Sequence, residues 1–436
     1  MLHSINFKDQ LFLILSLIFL QIASTFLALK LDPILFFLIP FFLLFFYYLI
    51  IKPQITLLLV VFIWISLLFY FLKGELVFPN WSIKLITSFF LFTLFFIFSG
   101  LYSVSPNYGW LKILRFSILS STLFITPIIF LKNNRDSKSM LDFFKIISTM
   151  ILVGMLINLI YLFYTVELIS YLIRVSILGA NPIALSRTLA TIAAMVLVIG
   201  IRRKGFQHFI SLLILIPILL AIVSTGSRGP LLSLFLGMLI FTILFEIKEF
   251  KYRSFFSILV SILFVMILFN ILPENLTSRF VNFSQGDNIL SSTGFNNVNT
   301  INSRFDFYLM SINTWLSDFK TFFIGLGSGG FSSLFLWRDF RWYPHNIFLE
   351  ILVELGVVGL ILISSLIYFS IKQLFSYKNY NYLSENSAVW ISGTLVMFFS
   401  AQFSGDLNDN RILLMFLSIS LTSINLDKNP KLEKIV

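Results

Sequence analysis

An all-helical protein that crosses a membrane many times is the fold class this sequence predicts, and three observations predict it. Of 436 residues, 58% are hydrophobic and only 12% charged, with 54 phenylalanines, a composition far from that of soluble domains. Apolar runs of bilayer length, about 17 to 25 residues, recur along the whole chain. Basic linkers separate every second pair of runs, the alternation expected when Lys and Arg collect on one side of a membrane.

The runs lie at about 10–28, 33–51, 55–72, 84–101, 112–131, 140–165, 184–201, 208–224, 230–247, 255–272, 347–371, 387–404 and 411–426, thirteen in all. No Ala-x-Ala-like cleavage site follows the first, and further runs come at once, so it reads as a span rather than a removable signal. The basic linkers are "KNNRDSK" (132–138), "RRK" (202–204), "KEFKYR" (248–253), "KQLFSYK" (372–378) and "KNPKLEK" (428–434). They fall on one side, which the positive-inside rule makes cytoplasmic, and they fix the register from residue 132 onward. With the C-terminus inside, thirteen spans put the N-terminus outside. The expectation is one polytopic membrane domain over 1–436 with one large extracytoplasmic loop at 273–346.

A net charge of +11 raises the possibility of a nucleic-acid partner, but the cations sit between apolar runs rather than on a soluble face, so membrane topology explains them and no nucleic acid is expected. With no cysteine, disulfides, thiolate metal sites and cysteine nucleophiles are excluded. Histidine and carboxylates remain to carry chemistry.

The opposite side holds "SVSPNYGW" (103–110), "VELISYLIRVSILGAN" (166–181), "TGSRG" (225–229), the long 273–346 segment and "GDLNDNR" (405–411). Within the long segment "NSRFDFYLMSINTWLSDF" (302–319) reads as an amphipathic helix lying at the interface. Trp315, Trp337, Trp342 and Tyr343 suit a membrane-surface belt. Arginine dominates this side: Arg115, Arg174, Arg187, Arg228, Arg279, Arg304, Arg338, Arg341 and Arg411 stand against Lys112 and Lys320. Guanidinium is a fixed fork that matches phosphate oxygens and stays charged, so the set suggests a phosphate or diphosphate ligand. Any one of them is better explained by lipid headgroups or a nearby acid, but the set is not.

Arg228 lies in "IVSTGSRGPLLSLFLG", where one run ends, turns tightly and re-enters at Pro230, a residue suited to a first helical position. Gly226 and Gly229 permit close backbone approach there. A turn that short keeps the guanidinium at the membrane surface, where charge is a functional candidate by default. In "RWYPHNIFLEILVELGVVGL" (341–360), Asn346, Glu350 and Glu354 are spaced by four and form one polar stripe on an otherwise apolar helix. The stripe must face protein or water. His345 tops it, with Pro344 marking where the helix begins. Of the three histidines, His3 is terminal, His208 follows the cytoplasmic "RRK", and only His345 lies at the outer mouth.

In that order, "STGSRGPLLSLFLG", "GLGSGGF" (325–331) and "HNIFLEILVELGVVGL" (345–360) resemble the O-antigen ligase and O-antigen polymerase superfamily of bacterial membrane glycosyltransferases. "GANPIALSRTLA" (179–190) fits more weakly, and the resemblance covers about residues 100 to 370. It implies a C-type glycosyltransferase-like helical bundle, commonly of about twelve spans against the thirteen counted here. It also implies transfer of a glycan from undecaprenyl diphosphate, outside the inner membrane, to lipid A-core (ligase) or to another lipid-linked glycan (polymerase). By resemblance His345 matches the family's essential histidine, and Arg228 and Arg304 its two essential arginines. The chemistry suits them: a histidine takes the proton of an attacking hydroxyl near neutrality, and fixed guanidinium donors stabilise a departing diphosphate. Arg187, Arg115, Arg341, Asn346 and Glu350 are the further candidates for substrate contact. Glu350 and Glu354 are also alternative bases, or ties between helices.

No Asp-x-Asp lies in the outer segments and the single outer histidine has no clustered partners, so neither a metal nor another cofactor is expected. "GLGSGG" satisfies G-x-G-x-x-G but has no βαβ unit around it and reads as a turn. The sequon-like "NLTS" and "NFS" at Asn275 and Asn282 are short patterns of no weight outside a secretory pathway. A transporter for the same lipid-linked substrate is the rival class, yet no internal repeat is visible and the polar groups gather at one face rather than the midplane. A structural membrane scaffold leaves the His and Arg set without a role. Ligase and polymerase share this signature.

Overall fold

The computed structural model describes residues 78–131, most of 136–153, 181–203, 205–246, 248–271, 302–334, 339–376 and 383–428. The expected spans before residue 73, most of that at 140–165, the loop with Arg174, the stretch 272–301 with Arg279 and the two sequon-like sites, Trp337, Arg338 and the basic tail lie outside the described residues. The described chain is helical and contains no strand. Its principal helices are α1 (Ile83–Ser99), α2 (Pro106–Phe130), α3 (Pro182–Arg202), α4 (Phe206–Ser224), α5 (Arg228–Leu244), α6 (Lys248–Ile271), α7 (Asn302–Trp315), α8 (Phe319–Ile324), α9 (Ile347–Leu374), α10 (Glu385–Phe403) and α11 (Arg411–Lys428).

Among the described residues six stretches are long and apolar enough to cross a membrane: Asn80–Ser99, Pro106–Phe130, Pro182–Arg202, Phe206–Ser224, Phe250–Asn270 and Ile347–Leu374. They coincide with expected spans, and the protein is an all-α polytopic membrane protein. The expected spans at 230–247, 387–404 and 411–426 are helices too. The first is α5, only 17 residues long. The other two are the more polar α10 and α11, whose serines and threonines are almost all buried against other helices.

The centre of the bundle is α10, with α3, α5 and α11 packed around it. Lipid tails are as apolar as leucine, so helices associate there through close packing and hydrogen bonds rather than hydrophobic burial. Small residues make that approach possible: Gly237 of α5 lies against Val396 of α10, and Gly393 of α10 against Phe416 and Thr191. Buried hydroxyls turn back on their own helices, as Thr93 does to Phe89 O (2.9 Å) and Thr191 to Arg187 O (2.9 Å), so they need no partner in lipid.

Ion pairs tie one end of the bundle. Arg202 reaches Glu246 (2.9 Å) and Leu383 O (2.6 Å), and Arg203 reaches Glu385 (2.7 Å). The linkers that follow α3 and α5 and the one that precedes α10, assigned to one side by their register, therefore meet. The other end carries Asn181, the Thr225–Ser227 turn, His345 and the 405–410 turn, and is called the histidine end below. There α5 starts at Arg228 rather than at Pro230, which takes the third position, where an N–H has no intrahelical acceptor anyway. Gly226 supplies the left-handed backbone of the turn (φ 65°).

The expected amphipathic helix at 302–319 ends at Trp315, and α8 follows under an Asp318 cap (Thr321 N–H to Oδ1, 2.9 Å). One face of α7 exposes Phe305, Leu309 and Ile312, followed by Leu316 just past its end, while Phe307 and Ser311 are buried on another. Trp315 does not offer its N–H to a membrane surface: it donates to Phe322 O (3.1 Å) and its ring stacks on Phe322. The "GLGSGG" segment is a turn with positive φ at Gly325, Gly327 and Gly329. It fits into a break in α9 at Gly356 (φ 61°). The carbonyls of Val353 and Glu354, freed by that break, accept the N–H groups of Leu326 (2.9 Å) and Gly327 (2.8 Å). Irregular backbone inside an apolar bundle is stable only when its polar groups are satisfied in this way.

Candidate active site

His345 lies one residue before the cap of α9, in a left-handed conformation (φ 63°) that no other non-glycine described residue adopts. Such backbone costs on the order of 1–3 kcal/mol and persists only where its surroundings enforce it. Two neighbours do so. Asn346 caps α9 by accepting from Phe348 N–H (3.0 Å) and Leu349 N–H (3.1 Å), and its amide donates to Gln402 O (3.3 Å) at the end of α10. The imidazole packs face-on against Phe307 of α7 (6.3 Å, 24°) and tilts onto Tyr343 (4.6 Å).

The ring is mostly enclosed, and Nδ1 is buried without a hydrogen-bond partner among the described residues. Burial pushes its pKa down to about 4, the nearby Arg304 guanidinium pushes the same way, and Asp406 opposes them. His345 is therefore neutral at pH 7 with a lone pair available. Arg304, one turn before Phe307 on α7, is itself largely enclosed, and burial lowers its pKa against the pull of Tyr308 and Tyr343. Among the described residues no carboxylate neutralises it. A cation so placed favours an anion from outside the protein.

Beside this pair is a network that is already satisfied. Arg341 donates from Nε to Asp406 (2.9 Å) and from its terminal nitrogen to Asp409 (2.6 Å), and it lies over the Tyr343 ring (5.5 Å). Tyr108 of α2 donates to Asp406 (3.1 Å). Burial alone would raise Asp406, but Arg341 and then Lys112 hold it below the usual carboxylate range. Burial and the Asp406 charge raise Asp409. Arg187 is buried in α3, donates to Asn410 and keeps Nε without a partner among the described residues.

One level deeper, Lys112 of α2 sits between Glu350 (2.5 Å) and Glu354 (2.6 Å), all three fully enclosed. Glu350 also accepts Leu407 N–H (3.1 Å). The expected polar stripe on α9 thus faces protein. Glu350, anticipated at the substrate, is instead bound to Lys112, and Asn346 serves as a helix cap. Arg228 starts α5, and the next residue, Gly229, packs against Phe403, the neighbour of Gln402, so this turn borders the Asn346 cap. Arg115 lies one turn beyond Lys112 inside the α2 span and makes no hydrogen bond or ion pair with another described side chain.

Sequence reasoning brought His345, Arg304, Arg341 and Asn346 to one place but missed Tyr108, Lys112, Asp339 and Asp406 as parts of the frame. Asp339 caps α2 from outside it, accepting from Asn107 N–H (2.8 Å) and Tyr108 N–H (2.9 Å). The acid-rich "GDLNDNR" was the available signal for Asp406; nothing local marks Lys112, whose two partners lie more than 200 positions away.

Residues 210–364 match the family model for O-antigen ligase, which supports the O-antigen ligase superfamily. The matched segment contains Arg228, Arg304, His345, Asn346, Glu350 and Glu354. No curated protein matches the chain.

Proposed function

We infer that this chain, whose residues 210–364 match the family model for O-antigen ligase, is a membrane glycosyltransferase that moves a glycan from undecaprenyl diphosphate to an acceptor hydroxyl. The acceptor is lipid A-core, and the histidine end faces the outside of the bacterial inner membrane. The observation that carries this reading is the neutral, enclosed His345 beside Arg304, a cation without a described counter-anion.

The acceptor oxygen attacks the anomeric carbon while its proton passes to the free imidazole nitrogen of His345. The bond from that carbon to the diphosphate oxygen breaks, and the electron pair leaves with the diphosphate. Arg304 and Arg228 meet the charge that develops there. Fixed donors in a partly dry site are worth more than in water, and losing one typically costs about 10²–10³ in rate. Arg341 is held by Asp406 and Asp409, so it shapes the site through Tyr343, the ring against which His345 rests. Lys112, Glu350 and Glu354 hold the first turns of α9 under the histidine. The reaction so written needs no metal, and activity surviving EDTA is the expected result.

The deciding experiment supplies membranes with labelled undecaprenyl-diphosphate oligosaccharide, with and without lipid A-core, next to His345→Ala. Label moving to lipid A-core in one step is the expected product. A ladder of lengthening glycans without lipid A-core makes the protein a polymerase on the same site. Label left on its carrier in both, with His345→Ala indistinguishable from wild type, removes the transferase reading.

A further inference from the structure

Arg341 stands on the stretch before α9, outside the membrane-spanning helices, and its side chain is 44% exposed. A guanidinium carries five N–H donors in a fixed plane. Two are engaged, by Asp406 (2.9 Å) and Asp409 (2.6 Å), and the others have no partner among the described residues. Asp406 is enclosed and also accepts from Tyr108 (3.1 Å) and from Asp409 N–H (2.8 Å), so it anchors the fork. The Asp409 carboxylate is 26% exposed and stands beside the open edge of the guanidinium. Fixed donors and a fixed acceptor therefore lie side by side at the surface.

Chemistry and position select the ligand. A hydroxyl both donates and accepts, so it satisfies both halves of this pair at once. A phosphate oxygen only accepts, and beside Asp409 it would face a second anion. Arg304 offers the contrary, since no carboxylate partners it among the described residues, and it suits the diphosphate. The Tyr343 ring joins the two places: the Arg341 guanidinium lies over it, 5.5 Å from the centroid, and the His345 imidazole tilts onto it at 4.6 Å. A sugar that presents one hydroxyl to His345 thus has the rest of its ring, or the next ring of its chain, over Arg341 and Asp409.

We propose that the Arg341–Asp409 pair is the acceptor subsite, which holds a sugar by its hydroxyls beside His345 while the diphosphate is held elsewhere. The proposal rests on the transferase reading above. A closed site built for a hydroxyl rejects its absence strongly, but this pair is partly open to water, which replaces a missing group, so the expected loss is about tenfold in kcat/KM.

The test uses the full chain in vesicles with labelled undecaprenyl-diphosphate oligosaccharide and lipid A-core. Asp409→Asn, which keeps the shape but weakens the acceptor, and Arg341→Lys, which keeps the charge but loses the fork, should each raise the KM for lipid A-core about tenfold and leave the KM for the donor within about twofold. A KM that rises for the donor and not for lipid A-core, or for neither in variants that still transfer, overturns the proposal. A second measurement needs no variant: wild type is given lipid A-core preparations lacking, one at a time, each hydroxyl of the terminal disaccharide other than the attacking one. A loss of about tenfold for at least one of them is expected, and equal transfer to all overturns the subsite. A third reads binding alone, by saturation-transfer NMR of wild type with the core oligosaccharide freed of lipid. Saturation concentrated on the terminal sugars is expected. If it is seen without transfer to any acceptor, the subsite stands and the transferase reading falls. Transfer with saturation absent or spread evenly along the oligosaccharide does the reverse.

Discussion

At the scale of single residues, the chemistry turns on the charge state of His345. Its pKa is pushed down to about 4, so it is neutral through the physiological range and kcat/KM should stay flat until the pH falls toward about 4. Arg304 contributes to that lowering, so Arg304→Gln should move the acid limb upward, toward the ordinary value of 6.5, while transfer falls by about 10²–10³. A bound diphosphate offsets the same guanidinium, so the acid limb of kcat should lie at higher pH than that of kcat/KM. Profiles with both limbs at 6.5 in wild type contradict a histidine held neutral by its site. Arg304→Lys keeps the charge but loses the planar fork, and should recover little activity. His345 and Arg304 were legible in the sequence because each is out of place in an apolar, lysine-poor setting. What the sequence hid was the difference between a cation with no carboxylate among the described residues and an engaged one: Arg341 looks the same as Arg304 until Asp406 and Asp409 are seen to hold it.

At the scale of elements, two devices fix the first turns of α9 under the histidine. One is the ammonium of Lys112 between two carboxylates. Removing one partner of such a buried group typically costs about 3–5 kcal/mol, because the opposite charge is stranded, so Lys112→Met should lower thermal stability strongly. Combining it with Glu350→Gln and Glu354→Gln should restore much of that loss, which a thermal shift series in detergent would read. The other is the glycine turn in the α9 break. Gly356→Ala places a side chain in left-handed backbone, about 1–2 kcal/mol by itself, and against the backbone of Phe323. A melting temperature unchanged by that substitution would show that the break can straighten. The helices themselves were readable from run length and linker charge. The break was not, because Gly356 lies in an unbroken apolar run and its cause is a segment some thirty positions earlier that the sequence shows only as a glycine-rich turn.

At the scale of the whole molecule, the alternation of basic linkers anticipated which helix ends meet, and the Arg202, Arg203, Glu246 and Glu385 contacts are the physical form of that anticipation. Polarity was the weaker guide: α10 and α11 carry rows of serine and threonine yet sit at the centre, since hydroxyls that bond to their own helix are cheap to enclose. The break in α9 also bears on how the protein tolerates its solvent. Unbroken, a helix of 28 residues would measure about 42 Å and overshoot a hydrocarbon slab of about 30 Å, leaving tilt or bilayer stretching to absorb the excess. With the vertex at Gly356, only the portion 357–374, about 27 Å, has to match the slab, and the portion that carries the histidine is indexed to its protein neighbours. Transfer rates in vesicles of graded acyl length should therefore change little across a span of several ångströms, and Gly356→Ala should make them sensitive to it. Bilayer thickness, which sorts and strains many membrane proteins, would then be a variable that this site is built to ignore.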